Sequence, residues 1–225
     1  MAKEVVTPQD EMLAAAQTQG ENFFEKNSKM VITAIVVIFV LAAAIFGYRK
    51  AIVEPRNNKA QEMLFEAQYQ FESQTADFAL ALNGNENTPG FVQVIEQYGN
   101  TPAGNLATMY AAACSLRLGE LDQAESYIAK FNDVKGIPGQ IVNAMAAGIK
   151  GDIAVEKGDF EKAAKLFEKA AKMSDNNFSA PMYLRKAAMA YNAIGQADKA
   201  QELYKHIIDA YPTSYDSRDA NKFAE

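Results

Sequence analysis

A glycine followed five residues later by an alanine occurs three times in the sequence, in the pairs Gly119/Ala124, Gly158/Ala163 and Gly195/Ala200. The glycines lie 39 and then 37 residues apart, and each stands between two amphipathic stretches. Glycine allows a helix to end in a left-handed backbone conformation, and a small residue allows two helices to approach closely. The spacing therefore predicts three successive helix–turn–helix units and an all-α fold.

The third unit, residues 181–212, resembles the tetratricopeptide repeat, whose period is about 34 residues. It has the family's residues at Leu184, Ala187, Ala188, Tyr191, Gly195, Ala200, Tyr204 and Pro212, and departs from the pattern at Ile207. The second unit matches at Gly151, Gly158, Ala163, Phe167 and Ala170, and the first at Ala111, Ala112, Gly119, Ala124 and Ile128. The resemblance implies a tetratricopeptide-repeat α-solenoid over residues 101–212, a fold that binds proteins far more often than it catalyses reactions.

Residues 30–48, MVITAIVVIFVLAAAIFGY, contain no charged side chain. A helix of that length covers close to the roughly 30 Å thickness of the hydrocarbon core of a bilayer. A buried core helix and a cleaved signal peptide are the alternatives. A signal peptide begins with a positively charged segment, whereas residues 1–29 carry three basic and five acidic side chains. We therefore predict a single retained transmembrane helix over 30–48, in contact with lipid, behind a flexible N-terminal tail over 1–29.

Between the anchor and the repeats, residues 49–100 are predicted to form a linker helix and a further helical pair. The apolar positions favour one helix from Glu54 to about Leu82, followed by a loop over residues 83–88. Thr88-Pro89 and Thr101-Pro102 each combine a capping residue with a proline suited to a first helical turn. Residues 213–225 are predicted to form a short segment that caps the last repeat.

The layout of the whole chain resembles the ancillary subunit of the bacterial Sec translocon, the YfgM-like family. The resemblance is carried by the acidic, aromatic segment around residues 23–29 and by residues 91–131, FVQVIEQYGNTPAGNLATMYAAACSLRLGELDQAESYIAKF. It implies a single-pass protein of the bacterial inner membrane with a cytoplasmic N-terminus and periplasmic repeats. It also implies two partners, the Sec translocon and a membrane-anchored peptidyl-prolyl isomerase-like chaperone.

The charges that flank the anchor favour the opposite orientation. Lys26 and Lys29 precede it, whereas Arg49, Lys50, Arg56 and Lys59 follow it. A simple count of basic residues would keep the C-terminal side in the cytoplasm, but long domains are translocated largely regardless of charge. The residues alone therefore leave the orientation open.

The sequence contains no recognisable catalytic constellation, zinc-ligand spacing or phosphate-binding loop. Its single histidine, His206, and single cysteine, Cys114, are interpreted as structural residues. The net charge of −6 leaves no polybasic surface for nucleic acid. We expect a protein that is not an enzyme and that takes no metal, cofactor, nucleic acid or small-molecule substrate.

The first helices of the repeats are predicted to line a protein-binding groove. Its predicted residues are Leu106, Met109, Leu116, Met145, Met182, Arg185, Met189 and Asn192, together with Ala113, Asp152 and Val155. Flexible methionine side chains suit a surface that accepts varied apolar partners, although the same side chains could simply pack between neighbouring repeats. Only Arg185 and Asn192 resemble parts of a carboxylate clamp, so capture of a C-terminal carboxylate is disfavoured.

These features predict a membrane-anchored protein-binding scaffold. By resemblance, it would be a non-enzymatic subunit beside the Sec translocon that recruits or assists chaperones for exported proteins. The alternative is a tetratricopeptide-repeat scaffold for another cell-envelope assembly, such as outer-membrane biogenesis, since the segment IIDAYPTS also resembles repeats found there.

Overall fold

The repeat units form pairs of helices in the computed structural model, which describes residues 8–223. The described residues form α-helices and one π-helical turn and contain no strand. The chain divides into two units, Met1–Pro55 and Arg56–Glu225. The all-α fold predicted from the sequence is therefore confirmed.

The first unit consists mainly of helix α1, Pro8–Tyr48, followed by a π-helical turn over Arg49–Val53. Between Met30 and Tyr48 nearly all side chains are exposed, and the helix is long and apolar enough to cross a membrane by length and composition. Helix α1 begins well before the predicted anchor, so residues 8–29 of the predicted tail are helical. Ala, Gln and Glu, which favour helix, are frequent there, and the backbone leaves helical values at Asn27.

The second unit begins within α2, Glu54–Glu72, and continues with α3, Phe78–Asn83, and α4, Phe91–Tyr98. The predicted single helix from Glu54 to Leu82 is thus interrupted after Glu72, because the Asp77 carboxylate accepts a hydrogen bond from the Leu80 N–H at 2.9 Å and starts a new helix. The predicted cap at Thr88 is also wrong. The Thr88 N–H and carbonyl both bond to Asn85 at 2.8 Å, and α4 instead begins after Gly90.

The repeat helices follow as α5, Pro102–Arg117, α6, Leu121–Lys130, α7, Ile137–Glu156, α8, Phe160–Met173, α9, Ser179–Ala193, and α10, Ala197–Ala210. As predicted, Thr101 caps α5, its hydroxyl accepting from the Gly104 N–H at 3.0 Å. A last short helix, α11, Tyr215–Ala220, packs on α9 and α10. Helix α8 packs extensively against both α7 and α9.

The turn glycines of the three repeats have the same backbone geometry. Their φ angles are 78° at Gly119, 78° at Gly158 and 74° at Gly195. After each glycine, the next N–H reaches back to a carbonyl in the last turn of the helix, for example from Gln196 to Tyr191 at 2.9 Å. This is the Schellman arrangement, and it confirms the turns predicted from the sequence.

Alanine dominates the interior of the repeats. In the third repeat, Ala187, Ala188 and Ala200 are at most 1% exposed. Tyr204 and Ile207 are buried in the same core. Ile207, the departure from the repeat pattern, is fully buried. Close approach of the helices therefore depends on small side chains, with a few large ones filling the space between them.

Ala200→Leu is expected to lower the free energy of unfolding by about 1–3 kcal/mol, because a larger side chain at this buried helix contact forces overpacking. Repeats stabilise mainly their neighbours, so hydrogen exchange should accelerate first in α9, α10 and α11. The matched control is Ala197→Leu, since Ala197 is exposed on the same helix. Equal protection of the two variants and the wild type would contradict the packing at Ala200.

Candidate protein-binding groove

Helices α5, α7 and α9 line a groove in which three cavities follow one another. The α5-side cavity and the central cavity share Asp152, Val155 and Lys186, and the central cavity shares Met189 with the α11-side cavity. Their volumes are about 490, 380 and 490 Å³ in that order. The shared walls make one continuous surface, which we call the groove.

The central cavity has an apolar lining. Its walls are Val155, Phe160, Phe167, Ala190 and Ala193, and Asp152, Lys186 and Met189 complete it. Phe167 is 1% exposed, so its ring forms a fixed wall. A Cβ at Gly151 would lie 2.5 Å from that ring, so only glycine leaves room for it. The repeat glycine inside α7 thus positions one wall of the cavity.

An ion pair stands between the central cavity and the α5-side cavity. Lys186 Nζ donates to both carboxylate oxygens of Asp152, at 2.8 and 2.9 Å, and so joins α9 to α7. The same ammonium group lies 5.3 Å from the centre of the Phe167 ring. About a third of each charged side chain is exposed, 33% for Lys186 and 35% for Asp152. The pair is therefore accessible from the groove.

Other basic side chains along the groove also have acidic partners within the protein. Arg185 Nε donates to Asp216 at 2.5 Å, and Lys222 Nζ donates to Asp219 at 2.9 Å. The Asp216 side chain is only 10% exposed, so its charge is directed at Arg185 rather than at solvent. Arg117, in the α5-side cavity, lies over the Phe78 ring at 5.9 Å. Glu156 lines the same cavity, so the basic and acidic side chains along the groove balance in number.

Several of the predicted groove residues lie on this surface. Met189 is 54% exposed, Asn192 is exposed beside it, and Leu116, Ala113, Asp152, Val155 and Arg185 line the cavities. Met145 is 37% exposed but lies outside the three cavities. The groove is thus partly apolar and partly polar.

Met109 does not lie on the groove surface. It is 1% exposed and packs among the core residues that α5, α6 and α7 share, so its predicted role in the groove is wrong. Leu106 and Met182 are partly buried against core residues. Arg185, at the repeat position equivalent to Met109, does line the groove, because neighbouring helices cover α5 and α9 to different extents.

Sequence reasoning missed Lys186 and the contribution of the C-terminal segment. Lys186 follows Asp152 by 34 residues, about one repeat. Two opposite charges at that spacing could have predicted an ion pair between neighbouring repeats. Phe223 stacks on Tyr204 with ring centres 5.4 Å apart and lines the α11-side cavity. No periodic pattern marks Phe223, because it follows the last repeat.

The residues that the structure describes contain no group of three His, Cys, Asp or Glu side chains that could hold a metal ion. Cys114 is fully buried, and burial raises the pKa of its thiol to about 12. His206 is exposed and lies edge-on to the Tyr211 ring. Cys114 is thus packed in the interior, as predicted, whereas His206 lies at the surface.

Comparison with known families identifies the repeat type. The family model of the tetratricopeptide repeat matches residues 154–218, which run from the last three residues of α7 into α11. No curated protein matches the sequence. The match confirms the predicted tetratricopeptide-repeat character for α8, α9 and α10.

Proposed function

We propose that this protein is a membrane-anchored scaffold that holds protein partners in the groove formed by α5, α7 and α9. The observation that carries the proposal is the continuous line of cavities along the repeat helices, with exposed Met189 where the central and α11-side cavities meet. The tetratricopeptide match over 154–218 supports a role in binding proteins rather than in catalysis. The apolar helix within α1 supports the anchor.

The resemblance to the ancillary subunit of the Sec translocon supplies the finer proposal. According to this finer proposal, the protein lies in the bacterial inner membrane, with its N-terminus in the cytoplasm and its repeats in the periplasm. Its partners are the translocon and a membrane-anchored peptidyl-prolyl isomerase-like chaperone. An anchor confines the groove near the exit of the channel and raises its effective concentration there, so weak contacts with partners are sufficient.

Met189→Glu tests the groove directly. Because 54% of Met189 is exposed, the substitution should spare the core, and we expect the yield of co-purified partners to fall at least tenfold. The reason is that glutamate places a charge where an apolar partner segment loses its water. Partners are crosslinked in intact cells, purified in detergent and identified by mass spectrometry, with circular dichroism as the folding control.

The matched control is Phe178→Glu, an equally drastic change at a residue that is 85% exposed and lies outside the three cavities. It should retain every partner. Full retention by a folded Met189→Glu variant would refute binding through the groove. Translocon and chaperone peptides in the wild-type sample would support the Sec assignment, whereas peptides of outer-membrane assembly proteins would support the alternative scaffold.

A further inference from the structure

We propose that the central cavity is an anchor pocket for one large apolar side chain, of phenylalanine, leucine or methionine, in an extended and uncharged segment of the partner. The inference rests on the proposed function and specifies the chemistry of what the groove binds. It is carried by the lining of the cavity, its polar rim and the pairing of charges along the groove.

The lining fits an apolar side chain. Val155, Phe160 and Phe167 form one side of the cavity, and the small residues Ala190 and Ala193 leave space on the side of α9. Burying a large apolar side chain there is favourable because it removes apolar surface from water. The volume of about 380 Å³ accommodates such a side chain together with part of the main chain that carries it.

The rim fits a peptide main chain. Asp152 presents carboxylate oxygens and Lys186 presents an ammonium group, side by side and each about one third exposed. A carboxylate oxygen accepts from more than one donor, and an ammonium group has three N–H donors. One peptide N–H and one carbonyl of an extended segment can therefore bond to the rim while the pair remains intact.

The charge pattern selects an uncharged segment. Lys186, Arg185 and Lys222 are paired with Asp152, Asp216 and Asp219 respectively. A C-terminal carboxylate or an acidic side chain would have to compete with these aspartates for each cation. A basic side chain would in turn have to displace a cation from its carboxylate. A charged side chain of either sign therefore gains no binding free energy by entering the cavity, whereas an apolar side chain is stabilised by burial there.

The test uses fluorescein-labelled peptides of nine residues, built from glycine, serine and alanine, with one variable central residue. Binding to the full-length protein in lipid nanodiscs is measured by fluorescence polarisation, with empty nanodiscs as the blank. We expect peptides with central phenylalanine or leucine to bind at least tenfold more tightly than the peptide with central alanine. Central glutamate or lysine should bind no more tightly than alanine.

Ala193→Phe fills the cavity from the last residue of α9, where the side chain is exposed and the fold should tolerate the change. It should abolish the preference for phenylalanine and leucine over alanine. Ala197→Phe, at an exposed alanine outside the cavity, should keep the preference.

Equal binding of the phenylalanine and alanine peptides to the wild type would overturn the anchor pocket, as would a preference that survives in a folded Ala193→Phe variant. This failure differs from failure of the proposed function. A protein that loses its partners with Met189→Glu but shows no side-chain preference binds through the groove without an anchor pocket.

Discussion

Replacing Gly104 by alanine is expected to lower the free energy of unfolding of the repeat unit by about 3 kcal/mol or more. A Cβ at this position would lie 2.0 Å from the carbonyl oxygen of Tyr98 and 2.7 Å from the Cα of Gly99. Both are backbone atoms, so no rotation of a side chain relieves the clash, and α4 must move away from α5. Overpacking costs about 1–3 kcal/mol where side chains can adjust, and more where they cannot.

Denaturation of the full-length protein in detergent, followed by circular dichroism, measures this loss. Gly119→Ala is the matched control, because nothing lies within 4 Å of its added Cβ and only the φ of 78° opposes alanine. That strain costs about 1–2 kcal/mol. If Gly104→Ala were as stable as the wild type, the close contact between α4 and α5 would be disproved.

A cysteine placed at Lys172 is expected to react with a membrane-impermeant thiol reagent in intact cells, while the inner membrane is still closed. Lys172 is exposed near the end of α8, and the proposed orientation puts the repeats in the periplasm. The effect is close to all-or-none, because the bilayer either separates the reagent from the cysteine or does not. Labelling is measured by the gel shift of the purified protein.

The labelling experiment has two controls, one engineered cysteine and one native cysteine. A cysteine at Gln9, exposed near the start of α1, should react only after the inner membrane is broken. The native Cys114 should remain unlabelled in the folded protein, because it is fully buried and burial raises the pKa of its thiol to about 12. If the two engineered cysteines reacted in the reverse order, the flanking charges would have predicted the orientation correctly.

The sequence by itself determined the features that depend on local backbone geometry and on repetition. Gly119, Gly158 and Gly195 predicted the turns, because a helix that ends with a positive φ needs glycine. Buried alanines such as Ala188 and Ala200 followed from the same repeat. The apolar run over 30–48 gave a helix long enough to cross a membrane, since length and composition alone decide that property.

Only the tertiary structure decided which side chains reach the groove. Met109 and Arg185 each lie ten residues before the turn glycine of their repeat. Met109 is nevertheless only 1% exposed, whereas Arg185 lines a cavity, because neighbouring helices cover the two positions differently. The pairing of Lys186 with Asp152 requires α7 and α9 to lie side by side. Phe223 reaches the end of the groove because α11 packs on α9 and α10. Periodicity reports the face of one helix, whereas exposure and pairing depend on its neighbours.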